Sequence, residues 1–279
     1  MQQRDILFGI WERLYPGVPS TDLEQFLADG ENSQAVLQKD EIQADWYKDA
    51  VVYSLYADLF NNDFAGLTQK LDYLHELGIN CIWLLPVLDS PMRDAGFDIS
   101  NYYQIRADLL DKSGKSADQQ VFRQFLAEAH KKGIRVIFDI SMNHTSDEHP
   151  WFIEASKSKD NPYRNYYIWS KDTDLYKDAR IIFKGIESSN WEKKGDEYFF
   201  HRFFNFQPDL NYRNPQVLLE MCRILHFWQA AGVDGFRADA TPYIWKVDGT
   251  DCENLTETHL VVKFFRAMLD YFKPGTLLL

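Results

Sequence analysis

Apolar residues along the chain fall into short compact runs that alternate with stretches of helical periodicity. Val51 to Phe60 is rich in β-branched and aromatic residues, and Gly66 to Gly78 then places Leu67, Leu71, Leu74 and Leu77 at helical spacing. The pattern recurs. Ile79 to Pro86 is a run of the kind buried on both faces, and Asp118 to Gly133 is amphipathic through Val121, Phe122, Phe125, Leu126 and Ala129, with Gly133 as its stop. Ile134 to Ser141 predicts a third buried strand, but the next helix, Pro215 to Gly232, follows only after a long stretch dense in Tyr, Phe, Trp, Asn, Asp and Lys. Strand four is expected at Val233 to Asp239, a fourth helix at about Asn254 to Phe272, and the opening of strand five at Thr276 to Leu279.

Strands alternating with helices predict an α/β fold with a parallel sheet and right-handed crossovers, either doubly wound or closed as a barrel. A small inserted domain accounts for the gap after strand three. The chain then divides into a helical preface (1–45) with no assigned function, strands one to three (46–144), the insert (145–212), and strands four to the start of five (213–279). It ends on three leucines without a cap or polar tail, and an open half-barrel would expose unpaired apolar edges. A segment of a longer chain is therefore expected.

Composition narrows the partners. The net charge of -12 repels phosphate backbones and anionic lipid, so neither nucleic acid nor membrane is expected as a partner. Met1 to Pro16, interrupted by Arg4, Asp5, Glu12 and Arg13, lacks the apolar run of a secretory signal, and no later run reaches membrane-spanning length. Cys81, Cys222 and Cys252 lack metal-site spacing and read as reduced thiols of a cytoplasmic protein. Oligomeric state stays open.

Chemistry concentrates at two strand ends. In Gly235-Phe236-Arg237-Ala238-Asp239 the pleat points Arg237 and Asp239 to one face at the strand's carboxyl end. That end is the catalytic face of a parallel barrel, and a guanidinium beside a carboxylate favours the ionised form that a nucleophile needs. An ion pair that only braces the strand ends would show the same spacing. Strand three, however, ends Asp139-Ile140-Ser141-Met142-Asn143-His144, bringing a carboxylate, an amide and an imidazole to the same edge.

These residues carry a resemblance to the α-amylase clan. The Asp139 to His144 run resembles its first signature region and Gly235 to Asp239 its second. Gly96-Phe97-Asp98-Ile99 is similar to the stretch after barrel strand two, and Gln207-Pro208-Asp209-Leu210-Asn211 to the marker near the end of the inserted domain. The resemblance implies a (β/α)₈ barrel, here incomplete, with a small domain inserted after strand three. It implies that Asp239 is the nucleophile, that Arg237 positions it, that Asp98 and His144 hydrogen-bond the sugar, and that Phe97 stacks beneath it. Phe97 replaces the family's usual Tyr, which keeps the stacking and loses one hydroxyl. The family's acid, a Glu at the end of strand five, and its third Asp have no counterpart in these residues, so the 279-residue chain alone is expected to be inactive.

Within the clan, Asp239-Ala240-Thr241-Pro242-Tyr243 and Gly249 to His259 look most like the trehalose synthases. Ser90 to Asp94, Asn143 to Asp147 and His149 to Phe152 agree. The implied substrates are α-glucosides such as maltose, trehalose or maltooligosaccharides. An α-amylase or α-glucosidase is the alternative, and a non-catalytic glycan-binding module the alternative of another class. No cofactor is implied as required. Calcium is possible, with Asn143 and Asp209 as oxygen ligands, although the ion-binding loop of many relatives is replaced by the short Asn61 to Ala65.

Overall fold

A computed structural model describes residues 2–34, 44–113 and 118–279. Five strands form one parallel sheet whose spatial order follows the sequence: β1 (Val52–Leu55), β2 (Cys81–Leu84), β3 (Arg135–Ser141), β4 (Gly235–Asp239) and β5 (Leu277–Leu278). β3 is buried from Val136 to Ser141, which explains why its sequence is a run without polar alternation until Asp139. Its register with β4 pairs Phe138 with Phe236, Asp139 with Arg237 and Ser141 with Asp239. The polar ends of both strands therefore lie side by side by backbone pairing alone.

The helices are α1 (Gln3–Leu14), α2 (Thr21–Gln34), α3 (Phe64–Gln69), α4 (Leu71–Glu76), α5 (Gln120–Lys131), α6 (Pro150–Ala155), α7 (Pro215–Ala230) and α8 (Thr256–Phe272), with shorter turns between. α7 starts where it does because Asn214 accepts from Gln216 N while Pro215 presets the first helical turn. Its Trp228 is the pivot of the core. The ring packs edge-on against Phe122 of α5 and Phe138 of β3, and Nε1 donates to Tyr102 O at 2.7 Å, satisfying the polar atom of a buried indole.

Several boundaries differ from the sequence reading. β1 stops at Leu55 and the chain turns into a short helix at Ala57–Asn61 instead of staying extended to Phe60. The single helix expected over 66–78 is two, parted at Lys70. It also begins at Phe64, because the Asp63 side chain accepts from Gly66 N at 2.8 Å. The preface is helical in its described part: α1 packs on α8 and α2 on α7. Tyr15 OH donates to Tyr212 O and Trp46 Nε1 to Gly275 O, each at 2.8 Å. Within the preface, Met1 and residues 35–43 lie outside the described residues.

The connection from β3 to α7 holds a small antiparallel sheet, Trp169–Ser170, Glu197–Phe200 and Trp191–Lys194, with Glu197–Phe200 in the middle. It returns to the edge of the main sheet through an isolated bridge between His144 and Asp209. Among the described residues no helix is long and apolar enough to cross a membrane.

Gly235 of β4 pairs directly with Leu277 of β5. A Cβ there would meet Leu277 Cβ and the backbone Leu277 O at 2.6 Å and Ile137 Cγ2 at 3.0 Å, and the carbonyl cannot swing aside. Gly235→Val should cost at least about 1–3 kcal/mol of unfolding free energy through overpacking, read as a lower urea midpoint; an unchanged midpoint would show that the two strands are not held this tightly.

Candidate active site

At the carboxyl edge of the sheet one guanidinium serves two carboxylates. Arg237 Nη1 donates to Asp139 Oδ1 at 3.0 Å and to Asp239 Oδ1 at 2.5 Å. Asp139 is enclosed, and its other oxygen accepts from Trp83 Nε1 at 3.0 Å. Burial pushes its carboxyl up to about 6, with Arg237 pulling the other way. Asp239 differs: its side chain is 22% exposed and that of Arg237 32%, so this pair is open to solvent while Asp139 is closed off.

The loop after β2 is built around Asp98. Its Oδ1 accepts from Ser90 Oγ (2.8 Å) and Asp94 N (3.1 Å), and its Oδ2 from Arg93 N (3.1 Å), with Arg93 Nε 3.5 Å away. Gly96 makes the turn possible, because its backbone is left-handed (φ 96°) and a Cβ would sit 2.7 Å from Pro86 Cβ. Arg93 then reaches Ser146 and Asp147 and lies over the Phe206 ring at 4.4 Å, which fastens the loop to the chain leaving β3. Asp98 is fully buried, whereas Phe97 beside it is half-buried.

His144 is 1% exposed, with Nε2 3.1 Å from Ser141 Oγ and Nδ1 3.4 Å from the Asn143 amide. Burial lowers its pKa, while the charges of Asp209, Asp239 and Asp94 act in the opposite sense. Phe203 packs on the His144 ring at 5.1 Å and Tyr243 on Phe203 at 5.3 Å. Arg180 donates to Tyr243 OH at 3.2 Å, and Arg180 and Arg202 both pair with Glu253, so the loop after β4 is stapled to the long connection.

Asn143 and Asp209, the two expected calcium ligands, do converge, but on a lysine. Lys246 Nζ stands 2.7 Å from Asn143 Oδ1 and 2.7 Å from Asp209 Oδ2.

All the residues singled out in the sequence thus reach this edge. Asp239 and Arg237 are partly open to solvent and Phe97 is half-buried, whereas Asp98 and His144 are buried with their polar atoms partnered. Sequence reasoning named Asp139, and Arg93 within the Ser90 to Asp94 stretch, without giving either a role, and passed over Trp83, Phe203 and Lys246. The signal for Trp83 was a lone polar-edged ring in an apolar strand, and for Lys246 a single cation in the apolar run Tyr243-Ile244-Trp245-Lys246-Val247.

The family described as alpha amylase, catalytic domain, matches residues 26–272. The chain is 46% identical over 243 residues to the trehalose synthase/amylase TreS of Mycolicibacterium smegmatis, covering 84% of this chain and 40% of that protein. It is also 46% identical over 213 residues to an oligo-1,6-glucosidase of Parageobacillus thermoglucosidasius, covering 72% of this chain and 36% of that one. Among solved structures, the trehalose-6-phosphate hydrolase TreA of Bacillus licheniformis superposes with a TM-score of 0.70 at 32% identity, over 82% of this chain and 44% of its own. The chain spans well under half the length of these proteins.

A second buried imidazole near the edge gives a pH test. His149 caps α6 by accepting from Trp151 N at Nδ1 (3.1 Å), and burial pulls it down to about 3. The unfolded imidazole titrates near 6.5, so this contribution is fully present above about pH 6.5 and is lost as pH falls toward 3, by about 2 kcal/mol at pH 5. His149→Asn keeps a capping acceptor and removes the titration. Its unfolding free energy should fall less between pH 7 and pH 5 than that of the parent, by about this amount; parallel pH dependences would show that His149 is not held neutral.

Proposed function

The chain belongs to the family of α-amylase catalytic domains, and from that premise we propose that it carries the attacking half of a retaining, trehalose-synthase-like α-glucoside enzyme. The observation that carries this reading is the solvent-open Asp239 carboxylate fixed by Arg237 at the carboxyl edge of a parallel sheet, the edge where barrel enzymes collect their chemistry. On this reading the sheet is part of a (β/α)₈ barrel and the connection between β3 and α7 is its inserted domain.

Asp239 attacks the anomeric carbon of an α-glucoside. The bond to the leaving oxygen breaks as the bond to Asp239 forms, giving a β-glucosyl ester, and the leaving oxygen takes a proton from a second carboxyl group. Asp139 is not that group, because both its oxygens are occupied and it is shut away from solvent. Arg237, anchored by Asp139, holds the attacking oxygen in place. Phe97 offers a ring face to the sugar. Asp98 and His144 meet it by exchanging present partners, Ser90 Oγ and Ser141 Oγ, for sugar hydroxyls.

The ester is then opened by the anomeric hydroxyl of the released glucose, giving the isomeric disaccharide, or by water, giving hydrolysis. The relatives bear on both outcomes: one is named a synthase/amylase and another a glucosidase. The segments around Tyr243 and Gly249 to His259 favour transfer to a sugar. Maltose, trehalose or maltooligosaccharides are the proposed substrates, and three buried unpaired thiols suit a reducing, cytoplasmic setting.

In the longest natural polypeptide containing these residues, maltose should yield trehalose with glucose as the minor product. Asp239→Asn should lower turnover roughly 10³-fold or more while maltose still binds. Glucose alone as product would assign hydrolysis instead; an Asp239→Asn variant with near-parental turnover would remove Asp239 from the role of nucleophile.

A further inference from the structure

Lys246 lies in the loop after β4 and is 3% exposed, a depth that lysine reaches only when its charge is met. Three segments come together on its ammonium. Asn143 Oδ1, just past β3, accepts at 2.7 Å; Asp209 Oδ2, where the long connection returns, is 2.7 Å away; and Ile244 O is at 3.5 Å. The contact with Asp209 is a close ion pair without good hydrogen-bond alignment, while Oδ1 of the same carboxylate accepts from Arg202 N at 2.9 Å. Both partners border the imidazole at the edge. Asn143 precedes His144 in the chain, and Asp209 bridges His144 through the backbone.

The family resemblance makes calcium possible at this junction, with Asn143 and Asp209 as its ligands, and the residues do not fit it. Calcium gathers about six to eight oxygens at roughly 2.3–2.6 Å. Here the space between the two oxygens is filled by the Lys246 side chain. Among the described residues no group of three or more His, Cys, Asp or Glu is placed to hold a metal ion.

We propose that the Lys246 ammonium is the built-in cation of this junction: it neutralises Asp209, ties the returning connection to the end of β3, and leaves no site there for a divalent ion. A tethered cation is present in every folded molecule at no dependence on metal concentration, whereas a bound ion stabilises only in proportion to its occupancy. Lys246 is thus a positioning residue, acting on His144 through Asn143 and Asp209. The proposal stands independently of the α-glucoside reading.

Thermal melting of the parent chain and of Lys246→Met, each in EDTA and in excess calcium chloride, tests it without an activity assay. The parent should melt at the same temperature in both solutions. Lys246→Met, with Asp209 left buried and unpaired, should melt roughly 6–20 °C lower in EDTA. The double variant Lys246→Met, Asp209→Asn should recover part of that loss, because the stranded charge is gone. A parent melting temperature that rises with calcium, with the rise abolished by Asp209→Asn, would overturn the proposal, as would a Lys246→Met variant that melts like the parent in EDTA. Should Lys246→Met fail to fold, folding of the double variant supports the proposal. Should neither fold, the calcium response of the parent decides it.

Discussion

One guanidinium nitrogen of Arg237 lies between the carboxylates of Asp139 and Asp239, and the arrangement of the whole edge follows from that sharing. Asp139, shut away from water, is costly to ionise without a cation beside it. Arg237 supplies the charge, and in doing so its guanidinium is fixed at one end while Asp239 takes the same nitrogen from the open side. Exposed ion pairs are weak because both partners wander. Here both partners are partly exposed, but the guanidinium that orients Asp239 is anchored from behind by the buried Asp139, which also holds Trp83.

The backbone makes this possible before any side chain is considered. Parallel pairing of β3 with β4 sets Asp139 opposite Arg237 and Ser141 opposite Asp239, and beneath them Phe138 packs edge-on against both Phe236 and Trp228 of α7. A slip by one residue would turn Arg237 and Asp239 into the apolar layer. The loops above then close on the strand ends. Arg93 fastens the turn after β2, the Arg180–Glu253–Arg202 group fastens the loop after β4, and Lys246 joins that loop to Asn143 and Asp209. The residues of the edge thus rest on a paired sheet and on loops tied by charge.

Much of this is legible in the sequence. The buried strands announce themselves because both faces are covered, so Ile134 to Ser141 and Val233 to Asp239, once past Arg135 and Asp234 at their starts, stay apolar until Asp139 and Arg237. The two-residue spacing of Arg237 and Asp239 fixes their common face without reference to anything else. What escaped depends on distant parts of the chain. The break at Lys70 is invisible to periodicity because Leu67, Leu71 and Leu74 keep their spacing across it. The burial of Asp98 follows from donors on a loop backbone, Arg93 N and Asp94 N, whose direction no residue type reveals. Lys246 is a lone cation in its own segment, and its partners lie 103 residues and 37 residues away. The packing of α1 on α8 is likewise a choice of partner, which an amphipathic pattern leaves open.

Asp239 as the nucleophile of this edge is the central claim. The direct measurement is mass spectrometry of proteolytic peptides from the longest natural polypeptide containing these residues, after incubation with a fluorinated α-glucosyl fluoride whose slow second step traps the ester. The account predicts a single glycosyl adduct on the peptide that contains Asp239, absent from Asp239→Asn. An adduct on Asp139 or on any other residue, or one that persists in Asp239→Asn, would contradict it.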